Sequence, residues 1–129
     1  MAELVFQTAD WKQEKHVPVI DAETNIKKGE TLKITITVGK EIAHPNTTEH
    51  HIRWIDVYFL ASQEKFPYQI GRFEFDAHGE SAQGPNLSTV YTHPQVTISF
   101  KTDKSGEILA TSYCNIHGAW KSIKQITIE

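Results

Sequence analysis

The sequence predicts an all-β protein, an immunoglobulin-like Greek-key β-sandwich of about seven strands, and three observations carry that expectation. Apolar residues recur with period two along almost the whole chain, the signature of strands with one face buried. Clusters of Gly, Pro, Asn and Asp punctuate the pattern at short intervals, as turns between strands require. A helical periodicity is missing apart from one short stretch. Several short strands joined by turns, without interleaved helices, point to a sandwich.

Taken in order, TADWKQEK (8–15) can form a single helical turn, with Thr8 or Asp10 as its cap. VPVI (17–20) reads as a short edge strand, because Pro18 lacks the N–H that a central strand donates. TLKITITV (31–38) alternates Leu32, Ile34, Ile36 and Val38 against Lys33, Thr35 and Thr37, a half-buried strand. HIRWIDVYFLA (51–61) is rich in aromatic and β-branched residues and is expected at the centre of a sheet. QIGRFEFD (69–76), STVYT (88–92), QVTISFKT (95–102), EILATSYC (107–114) and SIKQITIE (122–129) complete the strand set. The intervening turns are KKGE (27–30), GKEIAHPNTTE (39–49), AHGESAQGPN (77–86) and DKSGE (103–107).

Composition narrows the function classes. The 129 residues suit one domain, expected to span 1–129, with enough chain to bury a core. A formal charge of −3 with no dominating Lys/Arg stripe argues against a nucleic-acid partner. One cysteine excludes an internal disulfide. MAELVFQTADWKQEK has neither the basic nor the apolar region of a signal peptide, and no apolar run approaches the ~20 residues that span a bilayer. The expectation is a cytoplasmic protein with no membrane association.

The chemistry-bearing residues are seven histidines and the single Cys114. Imidazole and thiolate together suit iron, copper or zinc. A lone cysteine is ordinarily a small buried apolar residue. His117, three positions after Cys114, changes that weighting, since a turn through Asn115 and Ile116 aims both side chains at one point. Gly118 lets the chain leave the turn without strain. His16 precedes a strand, His44 lies in the 39–49 loop, and His50 and His51 open the strand after it. Successive strand residues point to opposite faces, so only one of His50 and His51 can join His44, and parity alone does not choose between them. His78 and His93 fall in polar turns and are expected to be solvated, and Trp120 is expected to be a packing residue.

EKHVPVI, HPNTTEHHIRW and SYCNIHGAW, in this order, resemble the superoxide reductases of the neelaredoxin type, the one-iron class of the desulfoferrodoxin family. The likeness extends through GRFEF and HGESAQGPN between them. It implies a mononuclear non-haem iron cycling between Fe2+ and Fe3+, with four equatorial imidazoles, His16, His44, His50 and His117, and Cys114 as axial thiolate. It thereby favours His50 over His51. It further implies Glu14 as sixth ligand to ferric iron and Lys15 as the cation over the open face. The implied activity is one-electron reduction of superoxide to hydrogen peroxide without oxygen release. The implied electron donor is rubredoxin or a similar small iron protein, and the implied assembly is a homotetramer. The four cysteines of the additional N-terminal iron domain of longer members are not in this sequence, in keeping with the one-iron class.

Two other readings compete. A blue-copper electron-transfer protein also pairs a sandwich with Cys-x-x-His, but it takes an axial Met after that His, and the only methionine here is Met1. A structural zinc takes four ligands, fewer than the five implied here.

Overall fold

A computed structural model describes residues 5–129, and Met1 lies outside that range. Strands β1 (Pro18–Ala22), β3 (Leu32–Val38) and β6 (Gln95–Phe100) form an antiparallel sheet in the order β1-β3-β6. Strands β2 (Asn25–Ile26), β4 (Ile52–Ala61), β5 (Tyr68–Glu74), β7 (Gly106–Cys114) and β8 (Gly118–Ile128) form the second sheet, ordered β2-β8-β7-β4-β5. Among the named strands, β2 alone runs parallel to its neighbour. The chain passes repeatedly between the sheets, while β4–β5 and β7–β8 pair as local hairpins, which is the expected sandwich. The eighth strand is the two-residue β2, too short to register in the sequence pattern.

Period-two alternation builds the core. Leu32, Ile34, Ile36 and Val38 point inward from β3 and meet Ile55, Val57 and Phe59 of β4 and Ile108 and Ala110 of β7. Burying side chains of this size contributes roughly 1.5–3 kcal/mol each before chain entropy is set against it. β1 lies at an edge, with Pro18 its first residue, and β4 sits between β7 and β5 as expected. STVYT departs from expectation: it forms no strand, and Tyr91 makes only an isolated bridge to His78. Val90 and Tyr91 are exposed, so no apolar face exists there to hold a strand against a sheet.

Register brings five chain segments to one end of the sandwich. Pro18 pairs with Val38, which places the start of β1 beside the end of β3. Cys114 pairs with both Ile52 and Gly118, which places the end of β7 between the starts of β4 and β8. Ser112 Oγ donates to the carbonyl of His16, joining the two groups of segments at 3.3 Å. Before β1, the expected turn forms: Asp10 Oδ1 accepts from Lys12 N and its carbonyl accepts from the amides of Gln13 and Glu14. Asp10, rather than Thr8, is the cap, and the turn delivers Glu14, Lys15 and His16 to this end.

Gly39 has φ +84°, and a Cβ built there would lie 2.6 Å from the amide nitrogen of His44. Gly39→Ala is expected to cost about 1–2 kcal/mol for the left-handed backbone alone, with a further penalty from displacing His44. Urea unfolding of the metal-free chain measures the first, and metal affinity reports the second.

Candidate metal centre

Cys114 is the last inward-facing residue of β7, following Ile108, Ala110 and Ser112 at every second position. Its side chain therefore reaches the end of the core, 1% exposed. The three residues 115–117 then turn the chain into β8, and Gly118, at φ +81°, takes the left-handed position such a turn needs. The tight return brings the amide of His117 to 3.4 Å from Cys114 Sγ, to which it donates. His117 Nδ1 lies 3.9 Å from the same sulfur. An N–H donor to a thiolate stabilises its charge and tunes any metal it binds.

Four imidazoles stand around this sulfur. His16 and His50 face each other across the group, with ring centroids 6.4 Å apart. His44 lies 4.8 Å from each of them. His117 lies 4.7 Å from His16 and 5.1 Å from His50. His44 and His117 thus each stand beside both rings of the His16–His50 pair. Ligand atoms of His16, His50, Cys114 and His117 all fall within 4.8 Å of one another; His44 is outside that group, its ring standing 4.8 Å from the rings of His16 and His50.

Tautomers follow from the outer contacts. His16 Nδ1 donates to Glu14 Oε1 at 2.6 Å, and His44 Nδ1 donates to the Pro45 carbonyl at 2.6 Å. Each bond leaves Nε2 as a lone pair turned inward. Nε2 of His44 and of His50 are buried with no hydrogen-bond partner, an arrangement that is costly without a ligand. His16 Nε2 lies 3.1 Å from His117 Nδ1. Metal–nitrogen bonds of about 2.1 Å at right angles put adjacent nitrogens roughly 3 Å apart, so this edge already has the spacing of two cis ligands. The donor set and its orphaned nitrogens fit a metal ion.

Protonation states agree. Burial pushes the His44 pKa down to about 4, with the Pro45 carbonyl opposing and His16, His50 and Lys15 assisting. Burial likewise lowers His16, against the hydrogen bond and charge of Glu14, and lowers His50. Neutral imidazoles are the ligating form. Burial acts to raise Glu14, but hydrogen bonds from the His16 ring and amide outweigh it and hold the carboxyl below its ordinary value. Glu14 is therefore an ionised acceptor behind His16 and is not among the clustered ligand atoms. Lys15 is half-buried, and its charge acts on His16, His44 and His50 alike. Among the described residues it has no carboxylate within ion-pair distance.

The parity question resolves at His50. Thr47 Oγ1 accepts from the His50 amide, and Thr47 N donates to the His50 carbonyl, which aims the His50 ring at Cys114. His51 turns the opposite way and stacks on His78, centroids 3.5 Å apart and planes within 8°. The expectation that His78 is solvated fails: it is 4% exposed. Glu80, two residues on, caps it by accepting from its amide at 2.6 Å and its Nδ1 at 3.0 Å. The residue pattern H-G-E was the available signal, a short acceptor across a glycine turn, and the His51 partner had none.

Two predictions follow from these contacts. Cys114→Ser is expected to abolish the metal–thiolate visible band and most metal affinity; an unchanged spectrum contradicts the sulfur assignment. Glu80 is held down to about 2, chiefly by the His78 amide, so its contribution is full above 4.5 and is lost as pH falls toward 2. In metal-free chains the gap in unfolding midpoint between wild type and Glu80→Gln should close over that range.

The sequence profile described as Desulfoferrodoxin matches residues 8–123. A superoxide reductase of Pyrococcus furiosus is 56% identical over 123 residues, 95% of this chain and 95% of that protein. The neelaredoxin of Megalodesulfovibrio gigas is 52% identical over 125 residues, 97% of this chain and 96% of that protein. The solved structure of the Archaeoglobus fulgidus superoxide reductase (neelaredoxin) in the reduced form superposes with TM-score 0.88 at 54% identity, covering 95% of this chain and 98% of that one. A profile match across most of the chain, with near-full-length relatives at this identity, establishes that the chain belongs to the desulfoferrodoxin family.

Proposed function

We propose that this chain is a superoxide reductase, catalysing one-electron reduction of superoxide to hydrogen peroxide with uptake of two protons and no release of dioxygen. The observation that carries the reading is the cluster of four imidazoles beside the buried Cys114 sulfur. Iron held there supplies the electron, cycling between Fe2+ and Fe3+. His16, His44 and His50 offer Nε2, His117 offers Nδ1, and Cys114 offers its sulfur. The Cys114 thiolate would donate electron density to iron held there, and the His117 amide would moderate that donation. Lys15 attracts the small anion and orders the water that protonates it. A local cation matters because the chain as a whole carries −3 and repels an anion on average. Glu14 would serve as sixth ligand to ferric iron, a role that would take its carboxylate off His16 Nδ1.

Residues 1–129 act as one iron-binding domain in this reading. The electron comes from rubredoxin or a similar small iron protein, and the chain works as a cytoplasmic homotetramer; the family resemblance supports these points. No helix among the described residues is long and apolar enough to cross a membrane.

The deciding experiment supplies superoxide to the reduced iron-loaded chain and scores peroxide and dioxygen together. Peroxide without dioxygen is expected, and stoichiometric dioxygen would instead identify a dismutase. Lys15→Ala should slow the bimolecular step by about tenfold and flatten its ionic-strength dependence while iron stays bound. An unaltered rate removes the steering role.

A further inference from the structure

Trp120 contacts the metal centre on two sides. Its ring lies against the His16 imidazole, centroids 5.0 Å apart and planes within 15°. Its Nε1–H donates to the His117 carbonyl at 3.2 Å. His16 and His117 are the two ligands whose nitrogens already stand 3.1 Å apart, so Trp120 grips both ends of that edge. Its own position is fixed by the ladder. Trp120 pairs with Ser112 of β7, and paired residues of an antiparallel ladder present their side chains to the same face. Ser112 Oγ holds the His16 carbonyl while Trp120 covers the His16 ring. Gln7 bridges to Trp120 from the N-terminal segment and closes the rung on its other side.

His16 is not on a strand, and its backbone bond to Ser112 leaves the ring free to rotate about χ1 and χ2. Glu14 constrains the Nδ1 edge, but its carboxylate is part-exposed and sits on the same mobile-length side chain that the proposed function moves to iron. A flat indole against the ring face fixes the ring plane independently of Glu14. We propose that Trp120 is a positioning residue of the iron site, holding the His16 plane by stacking and the His117 turn by its N–H, so that both nitrogens are set before the metal binds. Its effect rests on the iron-site reading above. Outer contacts of this kind typically change metal affinity about 10–100-fold when removed.

The test titrates the metal-free full chain with Co2+ against a competing chelator, in wild type, Trp120→Leu and Trp120→Phe. Leu fills much of the volume without a flat face or a donor, and Phe keeps the flat face. The expected result for Trp120→Leu is an affinity loss of at least about tenfold, with displaced visible bands. Trp120→Phe should recover most of that loss and a spectrum nearer wild type. Thermal midpoints of the metal-free chains separate packing from positioning: packing alone lowers the midpoint and leaves the bands in place. Unchanged bands and affinity in Trp120→Leu, or equal loss in Leu and Phe, overturns the assignment. A wild-type chain giving no cobalt–thiolate band overturns the iron-site reading instead, which keeps the two failures distinct.

Discussion

The β7–β8 hairpin is the element on which the rest of the site depends. β7 is flanked on both sides, by β4 and β8, so its last residue cannot shift without breaking two ladders. That residue is Cys114, and the turn beyond it has only three residues in which to reverse direction. The sulfur and His117 therefore arrive as a rigid unit, joined by the His117 amide. The other segments are fastened to this unit. Asn115 accepts from the His51 amide, donates its own amide to the His51 carbonyl and gives its side-chain amide to the Glu49 carbonyl. The loop that presents His50 is thus tied to the loop that presents Cys114, at the cost of no charged contact.

A β-bulge does comparable work on the opposite strand. Ile52 pairs with Cys114 and Trp54 with Tyr113, so Arg53 is an extra residue without a ladder partner. Bulges bend a strand and re-aim its end, and this one sits where β4 must leave the core and enter the metal site. The carbonyl of Arg53 is taken instead by the Phe75 amide at 2.7 Å. Without the extra residue, the alternation that buries Ile55 and Val57 would continue through to His50 with opposite parity. Core packing and ligand direction would then compete, and the bulge removes that conflict.

These details mark the boundary of what the residue pattern carried. Strands with a buried face were legible because Leu32 to Val38 and Ile108 to Cys114 alternate cleanly. The single helical turn was legible because Asp10 is a strong cap. STVYT looked like a strand by composition, yet its apolar residues meet no sheet. The choice between His50 and His51 was not legible, since it depends on the bulge at Arg53 and on Thr47 turning back onto His50. The family resemblance favoured His50, and it is the His50 ring that lies beside those of His16, His44 and His117. Trp120 read as packing because stacking on His16 is a contact between segments more than a hundred residues apart in the chain. Glu14 entered as a ligand only through the family resemblance, and its hydrogen bond to the outer nitrogen of His16 is a property of the folded turn alone.

The arrangement also separates the competing metals by geometry. A blue-copper site takes two imidazoles and a thiolate in one plane, with a weak axial ligand. Here four imidazoles gather beside the buried Cys114 sulfur, two more imidazoles than that site uses. A structural zinc site is closed by four ligands at tetrahedral directions. Four imidazoles and a sulfur, with the His16 and His50 rings 6.4 Å apart, are a larger donor set than such a site uses. In the proposed reading, uncharged imidazole donors and a single thiolate would leave a bound divalent ion with a net positive charge. In that reading Lys15, whose charge acts on His16, His44 and His50, would add to the attraction for a small anion in a protein that is otherwise negative.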